Sequence, residues 1–263
     1  MSWLTRKLPD RMKTVPPPAH PNTTIWRYMN LKAFEPLMTD QCLMFHQFKE
    51  LRKSDEREAM VTEGFWESLL EFLRRIDPDE DADKLRAWAE EQLDRLSCFE
   101  YASCWIMADT ENDKMWRDFA PEGIAIRTNV GEFAHAKQTG LNPQPIRSQI
   151  IEYADQWSEL EARGYSHCGV PLNRLFLHTK RKRFADENEI RFRVHPVPTF
   201  PLMPDGRRTS ANPRDSKPWH PVTFETLDWI EEIVAASSLP SSDTESIRQR
   251  VEQKGLNFRR SEI

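Results

Sequence analysis

Residues 184–194 read "FADENEIRFRV", and from Glu187 onward charged or polar side chains alternate with mostly apolar ones. Successive side chains of a strand point to opposite faces. Read that way, Glu187, Glu189, Arg191 and Arg193 share one face, and Asn188, Ile190, Phe192 and Val194 share the other. The apolar face predicts a place in a sheet, over residues 187–194. The charged face poses the functional question. Glu187 and Glu189 would stand ~7 Å apart, where two carboxylates repel by roughly 2 kcal/mol at an effective dielectric of about 20. A cation is therefore expected beside them: Arg191, Arg193, or an arginine of a neighbouring strand such as Arg27 or Arg127. One outcome is a cross-strand ion-pair ladder on a half-exposed sheet. The other is a site.

Partners for this strand are legible on either side of it. "IWRYM" (25–29) and "CLMF" (42–45) read as short strands flanking a helix that Asn30 caps and Pro36 should shorten or kink. "CFEYASCWIM" (98–107) has no internal breaker and predicts a central strand. "DKMWRDFAPEGIAIRTN" predicts a short helix, a turn at Gly123 and a strand over 124–128. Two apolar stripes at helical spacing, Val61 to Ile76 and Leu85 to Leu96, predict helices packed to one side. Between them, Asp77, Asp79 and Asp81 imitate the opening of a calcium loop. Ala82 stands where such a loop needs Gly, and Trp88 where it needs its bidentate Glu, so a solvated turn is expected. "IIEYADQWSELEAR" starts extended and ends helical. Residues 195–221 hold seven prolines and read as a surface loop. Phe224, Leu227, Ile230 and Val234 predict a helix, Ser242 with Glu245 a capping box on another that Gly255 closes, and "LNFRR" a last strand.

The fold class that follows is α+β: one domain over 25–263, with a twisted mixed sheet and flanking helices. Residues 1–24, rich in Pro and basic side chains, form a disordered or extended arm. With 263 residues, 38% hydrophobic and 30% charged, the chain is long enough for a sizeable core. Its net charge of −5 gives no general nucleic-acid footprint. No stretch has the length of a secretory signal or a membrane span, so a cytoplasmic protein is expected. Cys42, Cys98, Cys104 and Cys168 form no Cys-x-x-Cys pair, which predicts free thiols and no bound metal.

Three segments, "IWRYMNLKAFEPLMTDQCLMF", "ASCWIMADTENDKMWRDFAPEGIAIRTNVGEF" and "KRKRFADENEIRFRV", together resemble a bacterial family known as domain of unknown function 2971. The likeness extends through "VEQKGLNFRRSEI" and covers residues 25–263. The chain departs from the family in carrying Phe119 where the helix usually has Tyr. This resemblance implies a fold and no reaction.

The order of motifs is also similar to that of mono-ADP-ribosyltransferases, which carry an Arg on the first strand, a small hydroxyl residue on a middle strand and a Glu-x-Glu on a late one. Carried over, these are Arg27, Ser103 and Glu187-x-Glu189. The resemblance implies NAD as substrate. Glu189 would stabilise an oxocarbenium-like ribose as nicotinamide leaves, and Glu187 would orient or deprotonate the acceptor. Arg27 would hold the phosphates, with Arg191 beside it; Ser103 would support the strand or the ribose; Tyr28 or Trp116 would stack on nicotinamide. The run Lys180, Arg181, Lys182 and Arg183 is either a solvated helix end or a phosphate-binding patch. A second function comes from another class: a non-enzymatic module of a mobile-element or phage-defence system that binds a nucleotide or a protein. A metal-assisted nuclease built on Asp186 to Glu189 with Lys180 is a third. Geometry separates them. A cleft that Glu189, Arg27 and Ser103 all reach favours the enzyme; a flat, water-exposed charged face favours the binding module or the ion-pair ladder.

Overall fold

The computed structural model describes residues 18–51, 64–68, 71, 81–140, 143–165, 177–196 and 216–263. Its strands are β1 (Thr24–Met29), β2 (Cys42–Gln47), β3 (Tyr101–Met107), β4 (Ile124–Asn129), β5 (Arg147–Ile150), β6 (Glu152–Tyr153), β7 (Thr179–Lys180), β8 (Glu189–Val194), β9 (Trp219–Thr223), β10 (Glu232–Ala235) and β11 (Phe258–Arg260). Nine of them form one mixed sheet: β11, β10, β4, β1, β3, β2 and β9 follow in that order, while β8 and β5 extend from β3. The parallel pair β6–β7 stands apart. The fold is α+β, as the sequence predicts. Among the described residues no helix is long and apolar enough to cross a membrane.

β3 is the junction of the sheet. One of its edges pairs with β8 from Tyr101–Val194 to Ile106–Glu189. The other edge is divided, with β1 taking Ile106 and Met107 and β2 taking Tyr101 and Ala102. Between them Ser103, Cys104 and Trp105 have no ladder partner on that side among the described residues, so the sheet forks. The apolar face packs on an aromatic core. The Phe133 ring lies 4.6 Å from both Trp105 and Phe192 and 4.8 Å from Trp229, distances at which tilted and edge-on ring pairs attract beyond their area burial.

Several sequence expectations need correcting. β8 begins at Glu189 rather than at residue 187, because Lys182–Glu187 forms a 3-10 turn and Asn188 adopts a left-handed φ of 44°. Asn tolerates that conformation, and here it ties the turn to β3: its side-chain amide donates to Met107 O at 2.7 Å and its carbonyl accepts from Met107 N–H at 3.0 Å. The predicted helix over Phe224–Val234 is a turn followed by β10, which lies between β4 and β11 with Ile233, Val234 and Ala235 all buried. A short run buried on both faces fits either period, so spacing alone misassigned it. Ser242 falls inside the helix Ser241–Gln253, whose N-cap position is Pro240, and forms no capping box. Gly255, at φ 73°, ends that helix as expected, with Leu256 N–H donating back to Val251 O.

The helix Leu31–Asp40 is capped by Asn30 as predicted but continues through Pro36. β3 starts at Tyr101 because the helix Ala82–Phe99 runs through Cys98. Residues 219–221 belong to β9, an edge strand in which Pro221 lies opposite Met44 and interrupts no interior ladder. Of the Val61–Ile76 helix, residues 65–68 and 71 are helical and Phe65 is buried against Trp157; Val61, Leu69, Phe72 and Ile76 lie outside the described residues, as do the apolar side chains from Leu85 to Leu96. Residues 1–17, residues 197–215 and Cys168 also lie outside them.

Candidate functional site

The charged face of β8 is buried rather than half-exposed: Glu189 is 2% exposed, Arg191 1% and Arg193 5%. Buried charges require partners, and the fold supplies them from three directions. Arg191 Nε donates to Glu189 Oε1 at 2.6 Å along the same strand. Lys180 Nζ, delivered by β7, donates to Glu189 Oε2 at 3.0 Å and to Glu187 Oε2 at 2.6 Å. The β6–β7 pair holds that lysine in place and also brings Tyr153, whose hydroxyl accepts the backbone N–H of Glu189 at 2.8 Å. At the far end of the face Arg193 pairs with Glu100 at 3.0 Å and with Gln149 at 2.9 Å. Lys180 is thus the cation that the two glutamates share. Arg127 is engaged elsewhere, with Glu231 and Glu232.

Arg27 approaches the same region from the fork. Its guanidinium donates to the Ser103 hydroxyl and to Met44 O, bridging β1 to the β3 and β2 arms where the ladders stop. Ser103 points to the core side, where it also accepts from Trp105 Nε1 at 2.7 Å. Both acceptors of Arg27 are neutral. Among the described residues no carboxylate pairs with it, and burial lowers its pKa to about 10, which leaves it a cation at neutral pH.

A cavity of about 200 Å³ opens between the charged face, the helix Asp113–Phe119 and the 3-10 turn. Five of the seven residues singled out from the sequence line it: Arg27, Tyr28, Glu187, Glu189 and Arg191. Ser103 does not line it, and reaches it only through Arg27. Trp116 is buried, its indole N–H donating to Glu111 at 2.8 Å and its ring meeting Tyr28 edge-on at 5.0 Å. Tyr28 is itself held from behind, accepting the Asn112 N–H at 2.8 Å, and burial pushes its phenol up to about 12.

The two glutamates titrate in opposite directions. Burial and the neighbouring Glu189 raise the Glu187 carboxyl above its ordinary 4.5, against the pull of Lys180. Burial would raise Glu189 too, but Arg191 and Lys180, with hydrogen bonds from Arg191 and the Cys104 thiol, hold it well below 4.5. Cys104 is correspondingly pushed up, by burial first and then by Glu189, so its thiol stays protonated. Carboxyl groups driven apart in this way can divide the work between a permanent anion and a proton carrier.

Sequence reasoning missed Lys180 as the shared cation, Cys104, Tyr153 and Phe119. Lys180 opens the basic run that directly precedes the acidic stretch, and that adjacency was its only signal. Cys104 shares the face of Ala102 and Ile106 by alternation along β3. Nothing in the local sequence marks Tyr153, which β6 brings in from 36 residues away. Among the described residues no group of His, Cys, Asp and Glu side chains could hold a metal ion. Comparison with protein families, with curated proteins and with solved structures finds no match to this chain.

Proposed function

We propose that this cleft is an enzyme site for a nucleotide and that its reaction is glycosyl transfer from NAD. Arg27 is the observation that carries the reading: a guanidinium opposed only by neutral acceptors, at the wall of a cavity that also holds two carboxylates of opposite titration. A half-buried charge with no counter-ion is costly, and a ligand phosphate would compensate it by accepting paired N–H bonds from the guanidinium. In the reaction the ribosyl C–N bond breaks, its electron pair leaving with nicotinamide. Glu189, held ionised, stabilises the oxocarbenium-like ribose. The acceptor then bonds to the anomeric carbon and gives its proton to Glu187, whose raised pKa suits it to receive one. Ser103 serves this site by steadying Arg27.

A second reading is a non-enzymatic nucleotide-binding module, favoured by the fact that both oxygens of Glu189 are already occupied, by Arg191 and by Lys180. Incubating the protein with NAD, alone and with a cell extract, and following free nicotinamide separates the two. The enzyme reading expects release that drops about a hundredfold or more in Glu189→Gln. A thermal shift with NAD but no Glu189-dependent release leaves the binding module. Neither shift nor release rejects both.

A further inference from the structure

The cavity has two unlike sides. Its charged side carries Arg27, Lys180, Glu187 and Glu189; its other side is apolar, and Met115 and Phe119 line it from one face of the helix Asp113–Phe119. Their i, i+4 spacing places them one above the other. Met115 is fully buried, but Phe119 is 51% exposed. Three large hydrophobic side chains among the described residues are exposed, and of these Phe119 alone borders the cavity. Tyr28 and Trp116, the other aromatic residues considered for ligand stacking, meet each other edge-on, Tyr28 also stacks on Trp26, and their polar atoms go to Asn112 and Glu111.

Phe119 is also held at a defined place. Asn112 caps the first turn of its helix, accepting from Met115 N–H at 3.2 Å. Lys114 on that helix pairs with Asp186 of the 3-10 turn at 3.1 Å, which clasps the wall bearing the ring to the wall bearing Glu187. An open aromatic ring on an anchored helix beside a charged wall offers a flat surface to one part of a ligand and charge to another.

We propose that the cavity selects ligands that join a flat aromatic ring to an anionic group, with Phe119 the surface on which the ring lies and Arg27 the group that holds the anion. The inference rests on the reading of Arg27 given above, and it adds the ring requirement and the residue that imposes it. It requires no turnover. Ring stacking on an aromatic side chain is sequence-tolerant, so a purine and a pyridine should both be accepted, and a sugar phosphate without a ring should be accepted poorly.

The test titrates the protein with adenosine monophosphate, nicotinamide mononucleotide, ribose 5-phosphate and nicotinamide, by calorimetry. The two ringed phosphates should bind about tenfold or more tightly than ribose 5-phosphate, and nicotinamide, with no anion, should bind weakly. Phe119→Ala should abolish the advantage of the ring and leave ribose 5-phosphate affinity unchanged. Phe119→Tyr should restore it. Because the ring is exposed, an unaltered melting temperature will show that the variants fold. Equal binding of ribose 5-phosphate and the ringed phosphates, a ring preference that survives Phe119→Ala, or no binding by any probe overturns the proposal. Ring-dependent binding without Glu189-dependent nicotinamide release would remove the enzyme reading and leave this inference standing.

Discussion

Two carboxylate networks in this molecule have like partners and differ in their surroundings. Glu111 receives Trp116 Nε1 at 2.8 Å, the Ser261 hydroxyl at 2.5 Å and Arg259 at 2.5 Å, which ties the last strand to the helix Asp113–Phe119. Glu189 receives Arg191, Lys180 and the Cys104 thiol. The Glu111 network closes on itself, its cation Arg259 shared with Glu232. The Glu189 network adjoins a cavity and has a further cation, Arg27, for which the described residues supply no anion. Burial and completeness of pairing both separate the two: the first network is a brace, and the unmatched cation is what makes the second a candidate site.

The largest expected effect tests how far Glu189 is structural. Glu189→Leu removes the anion that Arg191 and Lys180 share, leaving Glu187 to Lys180 and the neutral Leu177 O to the deeply buried Arg191, and should cost about 3–5 kcal/mol in urea unfolding. A loss below about 1 kcal/mol would mean that the cations relax to water, and the comparison breaks. Glu111→Ala should cost less, about 1–3 kcal/mol, because Arg259 is more exposed and keeps Glu232 at 3.1 Å. If Glu111→Ala proves the more damaging of the two, the brace and the site have been assigned the wrong way round.

Arg27→Met should change stability by less than about 1 kcal/mol, since an apolar replacement removes an uncompensated charge, while abolishing any thermal shift produced by nucleotide phosphates. A large loss of stability would show Arg27 to be a brace like Arg259. The smallest effect concerns pH. Glu187 has a raised carboxyl, so its contribution to stability is complete below about 4.5 and is lost as pH rises through its folded value; Glu189 has a lowered one, so its contribution is complete above about 4.5 and is lost as pH falls through its folded value. Glu187→Gln should therefore gain stability relative to the parent as pH rises from about 4.5 through the folded value of Glu187, and match it at the acid end. Urea midpoints across that range that diverge in the opposite direction would reverse the assignment of the proton carrier.

The alternation of "EIRFRV" was enough to place Ile190 and Phe192 in the core and Glu189 and Arg191 on the opposite face, because a strand's geometry fixes sidedness from sequence alone. Asn30, the Met-Trp helix and Gly255 were legible for a similar reason, since caps and short helices are local contacts. Phe224–Val234 was misread because its burial comes from β4 and β11, which no local pattern encodes. The site follows the same division. Five of the residues that line the cavity could be named in advance by type and order, yet the contacts of their neighbours could not. Ser103 became a support for Arg27, Trp116 a packing partner of Tyr28, and Lys180 the cation that two glutamates share.

What the sequence determined by itself was the α+β class, the two faces of β8 and the need for a cation beside Glu187 and Glu189. Each follows from side-chain direction along one element or from repulsion between near neighbours. Tertiary structure decided which cation that is, that the charged face is buried, and that Arg27 stands without a carboxylate at a cavity's wall. Those outcomes depend on pairings such as β3 with β8 and β6 with β7. Charge acts over a few ångströms of space, and only the fold sets which residues lie that close.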